Sequence, residues 1–487
     1  MKIEPLSIDS LRQLSSTIKR PSYKPASITS GIVHFGIGNF HRAHQAVYCD
    51  ILLNQGETQW GITGISMRSP GMRDNLSPQN FLYTLATLSE TTSYRIIGAI
   101  QDILVAAESS QSVIDAVANN QTQLVTTTIT EKGYYLTSGE IDQSNNEIAQ
   151  DLKSLKVPQT TYGYLAAALI KRCANKGSPL TILCCDNMHA GGEHLLRGVQ
   201  MLLERHSRET LNWVKLNVAF SSSMVDRVTP ATDQRLKDRV SEQLGLYDAA
   251  PVAAEPFTQW IIENRFAGAR PPFDRAGALF VDDIGPYERI KLRFLNAGHS
   301  ILAALGYLAG DQFIHQALQR QKLALFAEQA LKQNVMPVTP VPKGVSGETY
   351  IDQVLTRFHN GNLPYAVLQV GTDSSQKIQQ RLLPTIDDAL NHEGETSYLA
   401  FALSAWVCFI RKALVNNDLN DPMRDEFAQV ISQSDSGDIE SFLTLAGANK
   451  FRFFSDTAFM ALVQQFHRSI NDVGVERAID TFFNHYK

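Results

Sequence analysis

Apolar positions along the chain fall into two regimes. Up to about residue 280, short apolar runs alternate with stretches of helical period; after Glu288 the helical period alone persists. The first run, Gly31-Ile-Val-His-Phe35, reads as a strand ending in Gly36-Ile-Gly38, and residues 39–53 carry a helical period through Ala43, Val47 and Ile51. Strand, glycine turn and helix open a βαβ unit. Further strand-like runs lie at 60–67, 93–97, 124–129, 180–185 and 216–220, with helical stretches at 112–119, 164–173 and 193–206. Such alternation predicts a mostly parallel sheet. Residues 1–30 are polar and proline-punctuated and read as a leader packed on the outside. From Glu288 helix follows helix, with breaks at 337–347, 360–364 and 416–422. No internal repeat is visible.

Gly36-Ile-Gly38, behind a strand and before a helix, is where a pyrophosphate can sit. The first glycine permits the tight turn and the second lets the backbone approach the phosphates at a helix start. The third glycine of the usual fingerprint is absent, since His41 stands there. The fold class is therefore α/β: a Rossmann-type N-terminal domain with a mostly parallel sheet, residues 1–285, followed by a mainly α-helical C-terminal domain, residues 286–487. The second strand would normally end in an acid that bonds the adenosine ribose. Here it runs into Ser66-Met-Arg68-Ser-Pro-Gly-Met-Arg73, so Arg68 or Arg73 could receive a 2′-phosphate, or both could be solvated loop charges. The cofactor is read as NAD or NADP, with NAD favoured.

Composition narrows the function. The chain has 487 residues, 44% of them apolar and 19% charged, which fits a globular protein and excludes disorder. Lys and Arg total 44 against 49 Asp and Glu, a net charge of -5, so no basic excess exists for nucleic acid. Cys49, Cys173, Cys184, Cys185 and Cys408 are scattered without CxxC spacing. They argue against a disulfide framework or a cysteine zinc site and fit a reducing, cytoplasmic compartment. The N-terminus lacks the apolar core of a signal peptide. The apolar runs near 398–410 and 301–309 are shorter than the roughly 18 residues of a membrane helix. No membrane or nucleic-acid partner is expected, and no metal; the chain is read as a monomer or weak oligomer.

The candidate chemistry lies in Asp282-Asp-Ile-Gly-Pro-Tyr-Glu-Arg-Ile-Lys291-Leu-Arg-Phe-Leu-Asn296-Ala-Gly-His299. Pro286 can open a helix. At the α-helical rotation, Lys291, His299 and Asn296 fall at about 0°, 80° and 140° on that helix. Leu302, Leu305 and Leu308 continue the face and read as buried. Polar groups at the end of a buried face need partners or do chemistry. A desolvated Lys can act as a general base towards an alcohol, an Asn amide can donate to the developing oxyanion, and a His can bond a substrate hydroxyl. The same pattern is also compatible with a core helix whose Lys snorkels. Tyr287-Glu-Arg-Ile-Lys291 matches the YxxxK of short-chain dehydrogenases, but it falls at a domain boundary and is read as coincidence.

Several segments together resemble the mannitol dehydrogenase family of polyol-specific long-chain dehydrogenases. They are Gly36-Ile-Gly-Asn-Phe-His-Arg-Ala-His-Gln45, Thr128-Ile-Thr-Glu-Lys-Gly-Tyr134, Cys185-Asp-Asn187, Phe220-Ser-Ser-Ser-Met-Val-Asp226-Arg-Val-Thr-Pro230, and the Lys291 helix. The likeness implies metal-independent hydride transfer at C2 of an open-chain sugar, with D-mannitol and D-fructose as the substrate pair. It implies Lys291 as general acid/base, Asn187 and Asn296 holding the reacting oxygen, and His299 and Asp226 on substrate hydroxyls. It places the cofactor on Gly36, Ile37, Gly38, Asn39, Phe40, Arg68, Thr130 and Glu131. Lys377 matches a substrate-binding lysine.

Some positions depart from the mannitol pattern. Mannitol dehydrogenases tend to carry Arg eight residues before that lysine, where this chain has Gln369. The run Gln376-Lys377-Ile-Gln-Gln-Arg381 is more similar to the fructuronate reductase branch. Lys377 and Arg381 could meet a uronate carboxylate. Gly64-Ile-Ser-Met-Arg68-Ser is more similar to mannitol dehydrogenases, although Pro70-Gly71 replace the acidic pair expected after it. The alternatives are fructuronate–mannonate reduction and, from another class, a non-catalytic dinucleotide sensor.

Overall fold

A computed structural model describes residues 3–137, 139–392, 394–433 and 439–486. The chain forms two compact units, Met1–Ile284 and Gly285–Lys487.

The first unit is built on six strands: β1 (Ile32–Phe35), β2 (Ile62–Ser66), β3 (Ile100–Val105), β4 (Leu124–Thr127), β5 (Leu180–Cys184) and β6 (Val218–Ser221). They lie in the order β6-β5-β4-β1-β2-β3, and every neighbouring pair is parallel. This is the doubly wound dinucleotide-binding order, and its direction reverses between β1 and β4. Both faces are covered, so most strand positions are apolar. Ile32, Leu124 and Leu183 pack on one side; Val33, Phe35, Val125 and Ile182 pack on the other.

Three details differ from the periodicity. The helix expected over 39–53 breaks at His44, whose φ of -123° and ψ of -89° leave the helical region, giving Asn39–Ala43 and Gln45–Asn54. The run at 93–97 is a strand, but it pairs antiparallel with Tyr83–Thr87 in a separate sheet. The sheet position it seemed to fill belongs to β3, whose Gln101 and Asp102 mask its apolar character. The leader is also more than a covering: Leu6, Leu14 and Ile18 are buried. Its first two residues lie outside the described ones.

The elements of the second unit are all helices among its described residues, with one isolated antiparallel bridge between Phe313 and Ala366. Helices end at Val338, Phe358 and Val415 and resume at Gly347, Val367 and Arg424, so the proline- and glycine-bearing breaks fall where the pattern puts them. The central helix, Ser397–Val415, has 19 residues and is long and apolar enough to cross a membrane by length and composition alone. It outruns the apolar stretch in the sequence because Arg411 and Lys412 interrupt hydropathy without interrupting the helix. Every residue from Ser397 to Ile410 is buried. Phe401 sits in its second turn, with ring centroids of Phe326, Phe466 and Phe482 at 4.8, 5.4 and 5.4 Å. Phe401→Ala would leave a cavity no neighbour can fill and should destabilise this unit by about 3–5 kcal/mol. Urea unfolding checks this; a loss below about 1 kcal/mol would show that the cluster can close over the gap.

Candidate active site

The cofactor turn follows from β1. Gly36 has φ of +97°, and a Cβ there would lie 2.0 Å from the Thr128 carbonyl oxygen, so only glycine fits between the ends of β1 and β4. Gly38 is different. It is exposed, and a Cβ on it would meet nothing within 4 Å. The chain keeps that space open where the helix Asn39–Ala43 begins, as a phosphate-binding turn requires.

Polar groups within the sheet brace this turn. His34 is fully buried in β1, and its Nδ1 lies 2.7 Å from Thr126 Oγ1 in β4. Its Nε2 lies 2.9 Å from Thr128 Oγ1 and 3.2 Å from the Gly36 carbonyl, to which the Thr128 hydroxyl donates at 2.8 Å. A neutral ring protonated on Nε2 satisfies the whole set. Burial therefore pulls the His34 pKa down to about 3 and lowers that of His41 as well. His41 occupies the missing third glycine's place, with its ring flat on His34 at 3.4 Å and 17°. The glycine there normally permits close helix–strand packing. Here two stacked imidazoles fill the gap, and the helix breaks three residues later.

Two buried arginines anchor the short helix. Arg42 donates to the Ala250 carbonyl and to Asn39 Oδ1, and Arg227 to the carbonyls of Ala43 and Glu255. Asn39 Nδ2 in turn donates to Thr232 Oγ1 at 3.2 Å. The Asn39 side chain is thus tied to the protein at both ends. Ile37 is buried, and Phe40 stacks on His44 at 5.1 Å.

The remaining candidates of this unit stand at strand ends. Thr130 and Glu131 are exposed just past β4, and Asn187 is exposed just past β5. Asp226 is buried at the end of Ser223–Asp226, a strand paired antiparallel with Gln259–Glu263. Between these lies Asp186, which the sequence reading passed over. It is 5% exposed, and its Oδ2 accepts from Tyr134 Oη at 2.7 Å and Thr127 Oγ1 at 3.0 Å. Burial pushes its carboxyl pKa up, and these donors pull it back. Arg68 follows β2 with its side chain 84% exposed, 3.6 Å from Glu147. Arg73 pairs with Asp74 and Glu108.

In the second unit Pro286 does begin a helix, Gly285–Ile290, which then changes character. Lys291–Asn296 is π-helical, and Ala297–Ala309 is α-helical. Hydrogen bonds from i to i+5 widen the turn, so residues five apart come about one turn apart rather than about 140° round the axis. Asn296 is thereby brought toward the side of Lys291, closer than an α-helical wheel puts it. Lys291 is 8% exposed. His299 is half-buried, and its ring stacks with those of Phe358 at 4.0 Å and Tyr365 at 5.3 Å. Arg381 reaches the same stretch, donating to Ser300 Oγ at 3.0 Å and the Asn296 carbonyl at 3.4 Å. Lys377 Nζ donates to the Val370 carbonyl at 3.1 Å, and Gln369 beside it is exposed. Among the described residues no three His, Cys, Asp or Glu side chains gather as metal ligands would.

The strand order and the turn at its reversal define a class: a dinucleotide-binding protein with a second, helical unit. Comparison with known proteins narrows the class. Residues 30–275 match the Mannitol dehydrogenase Rossmann domain, and residues 283–470 match the Mannitol dehydrogenase C-terminal domain. The chain belongs to the mannitol dehydrogenase family, as its motifs imply, and is a polyol dehydrogenase. It is 37% identical over 440 residues to a mannitol 2-dehydrogenase of Pyrenophora tritici-repentis, covering 88% of this chain and 77% of that one. It is 34% identical over 441 residues to a D-mannonate oxidoreductase of Escherichia coli, covering 88% and 91%. The solved ternary complex of Pseudomonas fluorescens mannitol 2-dehydrogenase with NAD and D-mannitol is 32% identical. It has a TM-score of 0.86 and covers 99% of this chain and 100% of that one.

The two glycines separate cleanly by substitution. Gly38→Ala should leave the melting temperature unchanged or slightly raised while weakening dinucleotide binding at least tenfold. Gly36→Ala should lower stability itself, because φ is positive and the Cβ clashes. Equal dinucleotide affinity in wild type and Gly38→Ala, by titration calorimetry, would remove the turn from the cofactor site.

His34 sets a pH dependence. The unfolded ring titrates near 6.5 and the folded one near 3, so between these values the unfolded state holds more protons. Stability should therefore fall as pH drops from about 6.5 towards 3. His34→Asn should show a shallower fall in melting temperature between pH 6.5 and pH 5 than wild type; parallel curves would refute the assignment.

Proposed function

We propose that the chain oxidises D-mannitol to D-fructose and runs the reverse reduction, with NAD as cofactor and without a metal. The observation that carries this reading is the near-complete burial of Lys291 on a π-helical turn shared with Asn296, in a chain whose likeness to the NAD and D-mannitol complex runs end to end. When bound, the cofactor takes up or returns a hydride at the substrate carbon. The chain's own residues handle the proton and the geometry. Lys291 Nζ removes the C2 hydroxyl proton in oxidation and returns it in reduction. The amides of Asn296 and Asn187 donate to the oxygen on which negative charge grows. His299, its ring stacked with two aromatic rings, and Asp226 bond the neighbouring hydroxyls, with Lys377, Gln369 and Arg381 further along the chain of carbons. Gly36, Ile37, Gly38 and Phe40 form the cradle of the cofactor, together with Arg68, Thr130 and Glu131. Asn39, its side chain already engaged, contributes its backbone N–H.

A second reading is reduction of D-fructuronate to D-mannonate. It is favoured by the 34% identity to a D-mannonate oxidoreductase and by Gln369, where the mannitol branch tends to have Arg. The strand-end sequence after β2 offers no acid to a ribose hydroxyl, so NADP is the competing cofactor.

Lys291→Ala should lower kcat by about a hundredfold or more at neutral pH, the usual weight of a general acid/base, with dinucleotide affinity retained. Turnover within a few-fold of wild type would rule Lys291 out as the base. A panel of fructose and fructuronate with NADH and NADPH decides the substrate: turnover of fructuronate alone would replace the mannitol reading.

A further inference from the structure

Thr130 has φ of 65° and ψ of 161°. That region is essentially reserved for glycine, and a β-branched side chain suits it least. Such a conformation persists only where the surroundings over-determine it, and it tends to cluster at functional sites. Here the fastening is visible. The Thr130 N–H donates to Asp186 Oδ1 at 2.8 Å, while the other carboxylate oxygen holds Thr127 before the strained residue and Tyr134 after it. The Gly133 N–H closes back on the Thr130 carbonyl at 3.0 Å, and Thr128 is pinned to Gly36. One buried carboxylate thus gathers the whole of 127–134 and stands next in the chain to exposed Asn187.

The adenosine ribose belongs at the end of β2, on one side of β1, so a dinucleotide laid across the β1–β4 reversal brings its nicotinamide half over the ends of β4 and β5. We infer that Asp186 is a positioning residue for the nicotinamide end of the cofactor, holding the strained Thr130, and Glu131 after it, in the arrangement that meets the ring. This rests on the cofactor reading above. It goes beyond that reading by giving the strain a purpose and by assigning one residue to the nicotinamide half of the ligand alone. The adenosine and pyrophosphate half depends on the turn at Gly36–Gly38, which Asp186 does not touch.

The test uses two ligands that differ only in that half. Wild type, Asp186→Asn and Thr130→Gly are titrated calorimetrically with whichever of NADH and NADPH the wild type binds tighter. They are then titrated with its nicotinamide-free fragment, ADP-ribose or 2′-phospho-ADP-ribose. Asp186→Asn should lose about tenfold in affinity for the reduced dinucleotide, the size of one hydrogen bond to a charged group, and less than about twofold for the fragment. Thr130→Gly should raise the melting temperature, because glycine accepts the conformation, and should lose affinity for the dinucleotide with the fragment unaffected. Equal losses for both ligands, or no loss for either, would overturn the inference. If Asp186→Asn does not fold, Thr130→Gly decides it alone. Neither measurement contains a polyol or a turnover, so the result is independent of the substrate reading.

Discussion

The place where β1 and β4 end side by side governs the first unit. Two chain segments leave it in different directions, and the backbone groups between them must be satisfied without filling the space above. The protein meets this with a glycine too close to the Thr128 carbonyl to carry a side chain, and with a hydroxyl and an imidazole that take up the Gly36 carbonyl. The bracing continues away from the turn. Thr127 and Thr128 are neighbours, one facing Asp186 and the other facing Gly36, so the glycine turn and the loop before Asn187 are fastened side by side through different side chains.

Much of this was legible in the residues, and what escaped has a physical reason. The glycine turn, the parallel sheet and the helical second half follow from periodicity and punctuation, which are local signals. The family likeness rested on short motifs, most of them at strand ends and one on the Lys291 helix. His34 and Thr126 escaped because they read as polar interruptions of buried strands, and Asp186 because it reads as a loop acid just past one. Their meaning appears only when the register sets His34 opposite Thr126. A histidine in a doubly covered strand is itself a signal: it must find partners there. β3 was missed because Gln101 and Asp102 broke its apolar run, and a neighbouring strand of another sheet drew the assignment.

The π-helical stretch could not be read from sequence at all. Lys291-Leu-Arg-Phe-Leu-Asn296 has ordinary α-helical propensity, and nothing in its residue types marks the widened turn. Arg293 is buried there, donates to the Val338 carbonyl and pairs with Asp388. Arg381 donates to the Asn296 carbonyl at the end of the stretch. Such bulges tend to occur at functional sites, where they re-aim side chains that a regular helix would spread.

The buried helix Ser397–Val415 has a consequence for how the chain comes to exist. A stretch of that length and hydropathy is what membrane-insertion machinery accepts. Part of its cover, the helix Thr457–Val473, lies further along the chain and is synthesised later. Until that segment emerges, the apolar surface is open to chaperones, to other nascent chains and to membranes alike. A chain cut short before residue 457 would keep that exposure permanently, so quality control should recognise truncated products through this helix rather than through the dinucleotide-binding unit.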